Sequence, residues 1–119
     1  DLSAILLKFK SGIIAEVHLD YFQRPEIRSC KIIGTKGTIY WDSDDNEVKL
    51  YDIKKKKWKI IHKIKNYDKN MEYVKELKHF LYCVKNKKKT INDISDGIYT
   101  LNIALTAIKS SKLKKVLTV

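Results

Sequence analysis

Arginine is nearly missing from this chain: Arg24 and Arg28 are the only two among 25 basic residues, the rest being lysines. Readout of base edges favours arginine's planar fork, so this surplus of lysine argues against sequence-specific nucleic-acid recognition even at a formal net charge of +11. Glycine is scarce as well. Gly12, Gly34, Gly37 and Gly97 fall in no GxGxxG or Walker spacing, so nothing is arranged to cradle a phosphate at a helix start. Cys30 and Cys83 form no CxxC pair and read as reduced, partly buried thiols. His18, His62 and His79 match no metal spacing such as HExxH, which leaves no metal site to expect. No apolar run approaches the ~18 residues that cross a bilayer, and the pattern of a secretion signal is missing. A cytoplasmic protein with no membrane span is the expectation.

What is present suits one folded domain. At 119 residues, with 44% hydrophobic and 33% charged, the chain can close one small core. It opens Asp1-Leu2-Ser3 without a methionine and enters a strand-like alternation at Ala4, which reads as a cut through a longer protein. The runs Lys54-Lys55-Lys56-Lys57 and Lys87-Lys88-Lys89 fall where connections between elements are expected, so solvated turns account for them. The competing reading is an independent basic module that binds nucleic acid or another polyanion without regard to sequence.

The first half alternates with the period of strands, and turn residues recur every ten or so positions. Ala4 to Lys10 and Ile13 to Tyr21 read as a hairpin about Ser11-Gly12. Along the second strand Ile13, Ala15, Val17, Leu19 and Tyr21 share one face, and Ile14, Glu16, His18 and Asp20 the other. Gln23-Arg24-Pro25 interrupts the pattern, because proline lacks an N–H and restricts the residue before it. Strands follow at Arg28 to Ile33, Thr38 to Asp42, Glu47 to Asp52 and Trp58 to Ile64, giving an antiparallel meander.

Past Asn66 the period lengthens to 3.6. Val74, Leu77, Leu81 and Val84 predict a helix from Asn70 to Lys85, and Ile94, Ile98, Leu101, Leu105 and Ile108 a second, capped by Asn92 or Asp93. Val116 to Val119 is a candidate closing strand. The class is α+β: a largely antiparallel, open-faced sheet of six to seven strands with two helices packed on one face, in a single domain over residues 1–119.

No constellation in the sequence supports catalysis. Ser43-Asp44-Asp45-Asn46 lacks the further oxygen ligands of a calcium loop and reads as a hairpin tip. Asp20-Tyr21-Phe22-Gln23-Arg24-Pro25 is richer, since Asp20, Tyr21, Gln23 and Arg24 place a carboxylate, a phenol, an amide and a guanidinium at one strand end. Such groups orient a polyol or an anionic sugar; local pairing at a strand end is the plainer reading. The uncovered sheet face, with Ile14, His18 and Trp41 as its candidate residues and some of Ile33, Ile39 and Tyr51 as further members, predicts a homo-oligomer.

The order of motifs resembles one family, the Gfo/Idh/MocA oxidoreductases. The stretches that carry the resemblance are Ala4-Ile5-Leu6-Leu7-Lys8-Phe9-Lys10-Ser11-Gly12-Ile13-Ile14-Ala15, Lys31-Ile32-Ile33-Gly34-Thr35-Lys36-Gly37-Thr38-Ile39, Glu76-Leu77-Lys78-His79-Phe80-Leu81, and Asp96-Gly97-Ile98-Tyr99 running on to Ala107-Ile108-Lys109-Ser110-Ser111. The resemblance implies the later part of a C-terminal α/β domain, in a parent whose N-terminal Rossmann domain, absent here, binds NAD or NADP. It further implies a sugar-type substrate, a sheet that shapes the substrate site and mediates oligomerisation, and no cofactor bound by these residues. The family's catalytic lysine, in a Glu-Lys-Pro motif, and its Asp-x-x-x-His pair have no counterpart here, so no catalytic residue carries over and the chain alone is expected to be inactive.

Overall fold

The computed structural model describes residues 1–119 as six strands followed by two helices. The strands are β1 (Leu2–Lys8), β2 (Ile14–Asp20), β3 (Ser29–Gly34), β4 (Gly37–Asp42), β5 (Glu47–Asp52) and β6 (Lys57–Lys63); the helices are α1 (Asn70–Lys85) and α2 (Ile94–Leu113). The α+β class stands, with every resolved strand pair antiparallel. The chain divides into two compact units, one of Asp1–Ala4 with Glu16–Lys69, the other of Ile5–Ala15 with Asn70–Val119. No helix is long and apolar enough to cross a membrane.

The strands form two sheets rather than the single one expected: β1 pairs with β2, and β3, β4, β5 and β6 follow one another in a second sheet. The break has a local cause. Beyond β2 the Asp20 carboxylate takes up the backbone N–H groups of Phe22 and Gln23, and Pro25 has none, so this stretch has few donors left for a ladder. The first hairpin is also closed by a longer loop than Ser11-Gly12 alone. The Gly12 N–H returns to the Phe9 carbonyl at 2.9 Å, Gly12 has φ +88, and the Phe9 N–H pairs with the Ile13 carbonyl at 2.9 Å. That is a turn ending in a left-handed residue, for which glycine is the undemanding choice.

In the four-stranded sheet, directly opposed residues share a face. Ile32, Ile39 and Leu50 lie in one row, with Cys30, Trp41 and Val48 in the next, and these make one apolar side. The other side carries Lys31, Tyr40, Lys49 and Ile60 in one row and Ile33, Thr38, Tyr51 and Trp58 in another. Of the further candidates for the open face, Ile39 therefore shares a side with Trp41, and Ile33 and Tyr51 lie on the other.

Helix α1 starts and stops where its apolar spacing predicts. Helix α2 begins at a capping box: Asp93 accepts from the N–H groups of Ser95 and Asp96, and the Asp96 side chain accepts from the Asp93 N–H in return. It ends at Lys114, in the left-handed conformation, whose N–H reaches back to the Ser110 and Ser111 carbonyls. Val116 to Val119, the candidate closing strand, forms no strand; that segment follows the helix cap and pairs with nothing in a ladder. The one buried apolar side chain is Cys83, whereas Leu77 on the α1 stripe is 58% exposed and Leu101 on the α2 stripe 56%.

Candidate functional site

The strand end at Asp20 comes together as a cluster, and its chemistry is largely spent on its own backbone. Asp20 Oδ1 accepts the Phe22 N–H at 2.9 Å and the Gln23 N–H at 2.6 Å, while Oδ2 lies 2.9 Å from His18 Nε2. The Gln23 N–H, then His18, hold this carboxyl below the ordinary aspartate range. Arg24 Nη1 donates to the carbonyls of Tyr21 and Gln23 at 2.9 and 2.8 Å, so the guanidinium braces the turn rather than standing free as an anion clamp. The side chains of Tyr21 and Gln23 are exposed, Tyr21 to 83%. What the segment offers a ligand is a phenol and an amide on a braced loop.

The remaining candidates fall on separate pieces of structure. Ile14 and His18 lie two positions of alternation apart on one side of β2, both exposed, and Trp41 sits on the apolar side of β4 at 37% exposure. Cys30 is exposed and Cys83 buried, which differs from two partly buried thiols because β3 is an edge strand while Cys83 is covered by the chain leaving α1. His62 is on β6 and His79 on α1. In Ser43-Asp44-Asp45-Asn46 the Ser43 hydroxyl accepts the Arg28 N–H, and Asp45 reaches back to Lys49.

Register creates a further feature that sequence reading missed. Tyr40, Lys49, Trp58 and Ile60, from three adjacent strands, line a shallow depression of about 380 Å³. Charge around it is balanced. Lys49 pairs with Asp45 and with Glu47, and Lys63 pairs with Glu47 at 2.6 Å. The Asp45 hydrogen bond raises the Lys49 ammonium above its ordinary value. Burial, then the neighbouring Asp42 carboxylate, pushes the Tyr40 phenol up. The turn aspartates Asp42 and Asp52 fix this register, and that was the signal to follow: side chains two apart on β4, β5 and β6 then meet across the ladder.

A dinucleotide does not fit the residues present. Gly12 and Gly37 close hairpins, and Gly34 ends a strand. Gly97 lies in the first turn of α2, whose N-terminus is already filled by the Asp93 and Asp96 carboxylates. What the fold presents is an α+β arrangement of meandering strands followed by two helices, with a braced polar loop at the end of β2. Residues 1–119 match the family described as the oxidoreductase family, C-terminal alpha/beta domain, and the chain belongs to that Gfo/Idh/MocA family. No curated protein and no solved structure matches it.

Proposed function

We propose that this chain is the substrate-shaping and self-associating domain of an NAD(P)-dependent oxidoreductase acting on a sugar or polyol. The family match over residues 1–119 carries the reading. The braced loop at Asp20 supports it: Asp20 and Arg24 hold the backbone, and Tyr21 and Gln23 present a hydroxyl and an amide that match a polyol's donors and acceptors. Hydride chemistry and the nicotinamide belong to a Rossmann domain of the parent. The apolar rows around Trp41, and Ile14 and His18 on β2, form the surfaces through which copies associate.

Translating the coding frame upstream of Asp1, and assaying that product for nicotinamide reduction with sugars and polyols, tests the reading. A glycine-rich βαβ start, then Glu-Lys-Pro and Asp-x-x-x-His, with Tyr21→Phe raising KM more than it lowers kcat, is the expected result. A start codon directly before Asp1 overturns it.

A further inference from the structure

The connector that leaves α1 folds back onto that helix through a contact that depends on where an imidazole carries its proton. The backbone N–H of Ile91 donates to His79 Nε2 at 3.1 Å. A ring nitrogen accepts only when unprotonated, so this contact requires a neutral His79 with its proton on Nδ1. One helical turn on, Cys83 Sγ lies 3.6 Å from Nε2 and 3.9 Å from Nδ1, and its thiol donates to the Lys89 carbonyl at 3.3 Å. The spacing of four puts both side chains on one helix face. Lys87, at φ +50, reverses the chain, and the Lys88 N–H returns to the Cys83 carbonyl at 2.9 Å. The covered thiol is 3% exposed, the most buried apolar group in the molecule.

We propose that His79 is a pH-sensitive latch: neutral, it holds the Lys87-to-Ile91 connector against α1, and on protonation it releases Ile91. A proton on Nε2 sets two donors face to face, so an attractive contact becomes a repulsive one and the Ile91 N–H turns to water. The surrounding charge does not rescue it. On neighbouring turns of α1 the titratable groups are Lys75, Glu76, Tyr82 and Cys83, and the connector adds Lys87, Lys88 and Lys89, so a single carboxylate stands among four ammonium groups. Lys88 is directed at Tyr82, with Nζ 3.2 Å from the hydroxyl. At the start of α2, Asp93 has its carboxylate committed to the Ser95 and Asp96 N–H groups. Release of Ile91 therefore loosens the path from α1 to the α2 cap as pH falls.

Nitrogen-15 spectra of the His79 ring and hydrogen exchange of the Ile91 amide, corrected for the intrinsic pH dependence of exchange, test this on the 119-residue chain between about pH 8 and about pH 5, the range over which histidine changes charge. At the high end Nε2 shows the unprotonated signature and Ile91 is protected. As the ring titrates, Ile91 protection falls roughly fivefold to tenfold in the same step, the size of one hydrogen bond. His79→Gln, whose amide oxygen accepts without titrating, keeps Ile91 protection flat across the range. A protonated Nε2 at the high end, or Ile91 protection that stays constant while the ring titrates, overturns the latch; both are read on the unmodified chain even where the variant fails to fold.

Discussion

The turns of the four-stranded sheet are closed by two different devices. Between β3 and β4 the device is glycine: Gly37 has φ +153, and a Cβ there would lie 2.5 Å from the Tyr51 carbonyl oxygen. On either side of β5 it is an aspartate. Asp42 Oδ1 accepts the Asp44 and Asp45 N–H groups at 3.1 and 3.0 Å, and Asp52 Oδ1 accepts those of Lys54 and Lys55 at 2.9 and 3.1 Å. Four residues past each aspartate a left-handed residue closes the loop, Asn46 at φ +52 and Lys56 at φ +49. Asp42-Ser43-Asp44-Asp45-Asn46 and Asp52-Ile53-Lys54-Lys55-Lys56 share only the leading aspartate, yet they fold alike. One well-placed acceptor organises the loop, and the lysines follow it.

The largest effect expected is at the glycine turn. Gly37→Ala forces a Cβ onto a β5 carbonyl that cannot retreat without loosening the β4–β5 ladder, and roughly 2–3 kcal/mol of stability is lost, read by urea unfolding. Asp52→Ala tests the other device. Its two N–H groups fall back on water, so the loss is about 1 kcal/mol, comparable to removal of a helix N-cap. Should the two variants cost the same, the distinction between a steric and a hydrogen-bonded turn fails. The twin loops then invite an exchange at their left-handed position: Lys56→Asn stabilises by about 0.5 kcal/mol and Asn46→Lys destabilises by a similar amount, since asparagine tolerates that conformation better than lysine.

These devices also explain which parts of the fold were legible in the sequence. The limits of β5, Glu47–Asp52, and of α1, Asn70–Lys85, follow directly from an aspartate turn at either end of the strand and from the change of period past Asn66. The division into two sheets was hidden, because it turns on where the Asp20 carboxylate spends its lone pairs rather than on any break in alternation beyond Pro25. The four polar groups at Asp20, Tyr21, Gln23 and Arg24 were visible by adjacency. That Asp20 and Arg24 would turn inward to the backbone was not, since adjacency says nothing of where a carboxylate or guanidinium points. The depression at Tyr40, Lys49, Trp58 and Ile60 needed register, which one residue of slip reverses.

The smallest effect separates the two aspartates whose carboxyls the fold holds below their ordinary range. For Asp42 the Asp45 N–H is the main cause, helped by the Asp44 N–H, the Tyr40 hydroxyl and Lys49; for Asp20 it is the Gln23 N–H, helped by His18. Because each folded value lies under the unfolded one, the unfolded chain takes up these protons first as pH falls through about 4. The stabilisation is therefore complete above that point and lost on the way down through the lower, folded values. Asp42→Asn separates charge from geometry, since the amide oxygen can still accept both N–H groups but cannot titrate. Urea unfolding between about pH 5 and about pH 2 should show the variant losing less stability on acidification than the unmodified chain. Parallel loss in the two would mean that the acid sensitivity lies elsewhere, and Asp20→Asn, which leaves the four-stranded sheet untouched, would then be the variant that flattens the curve.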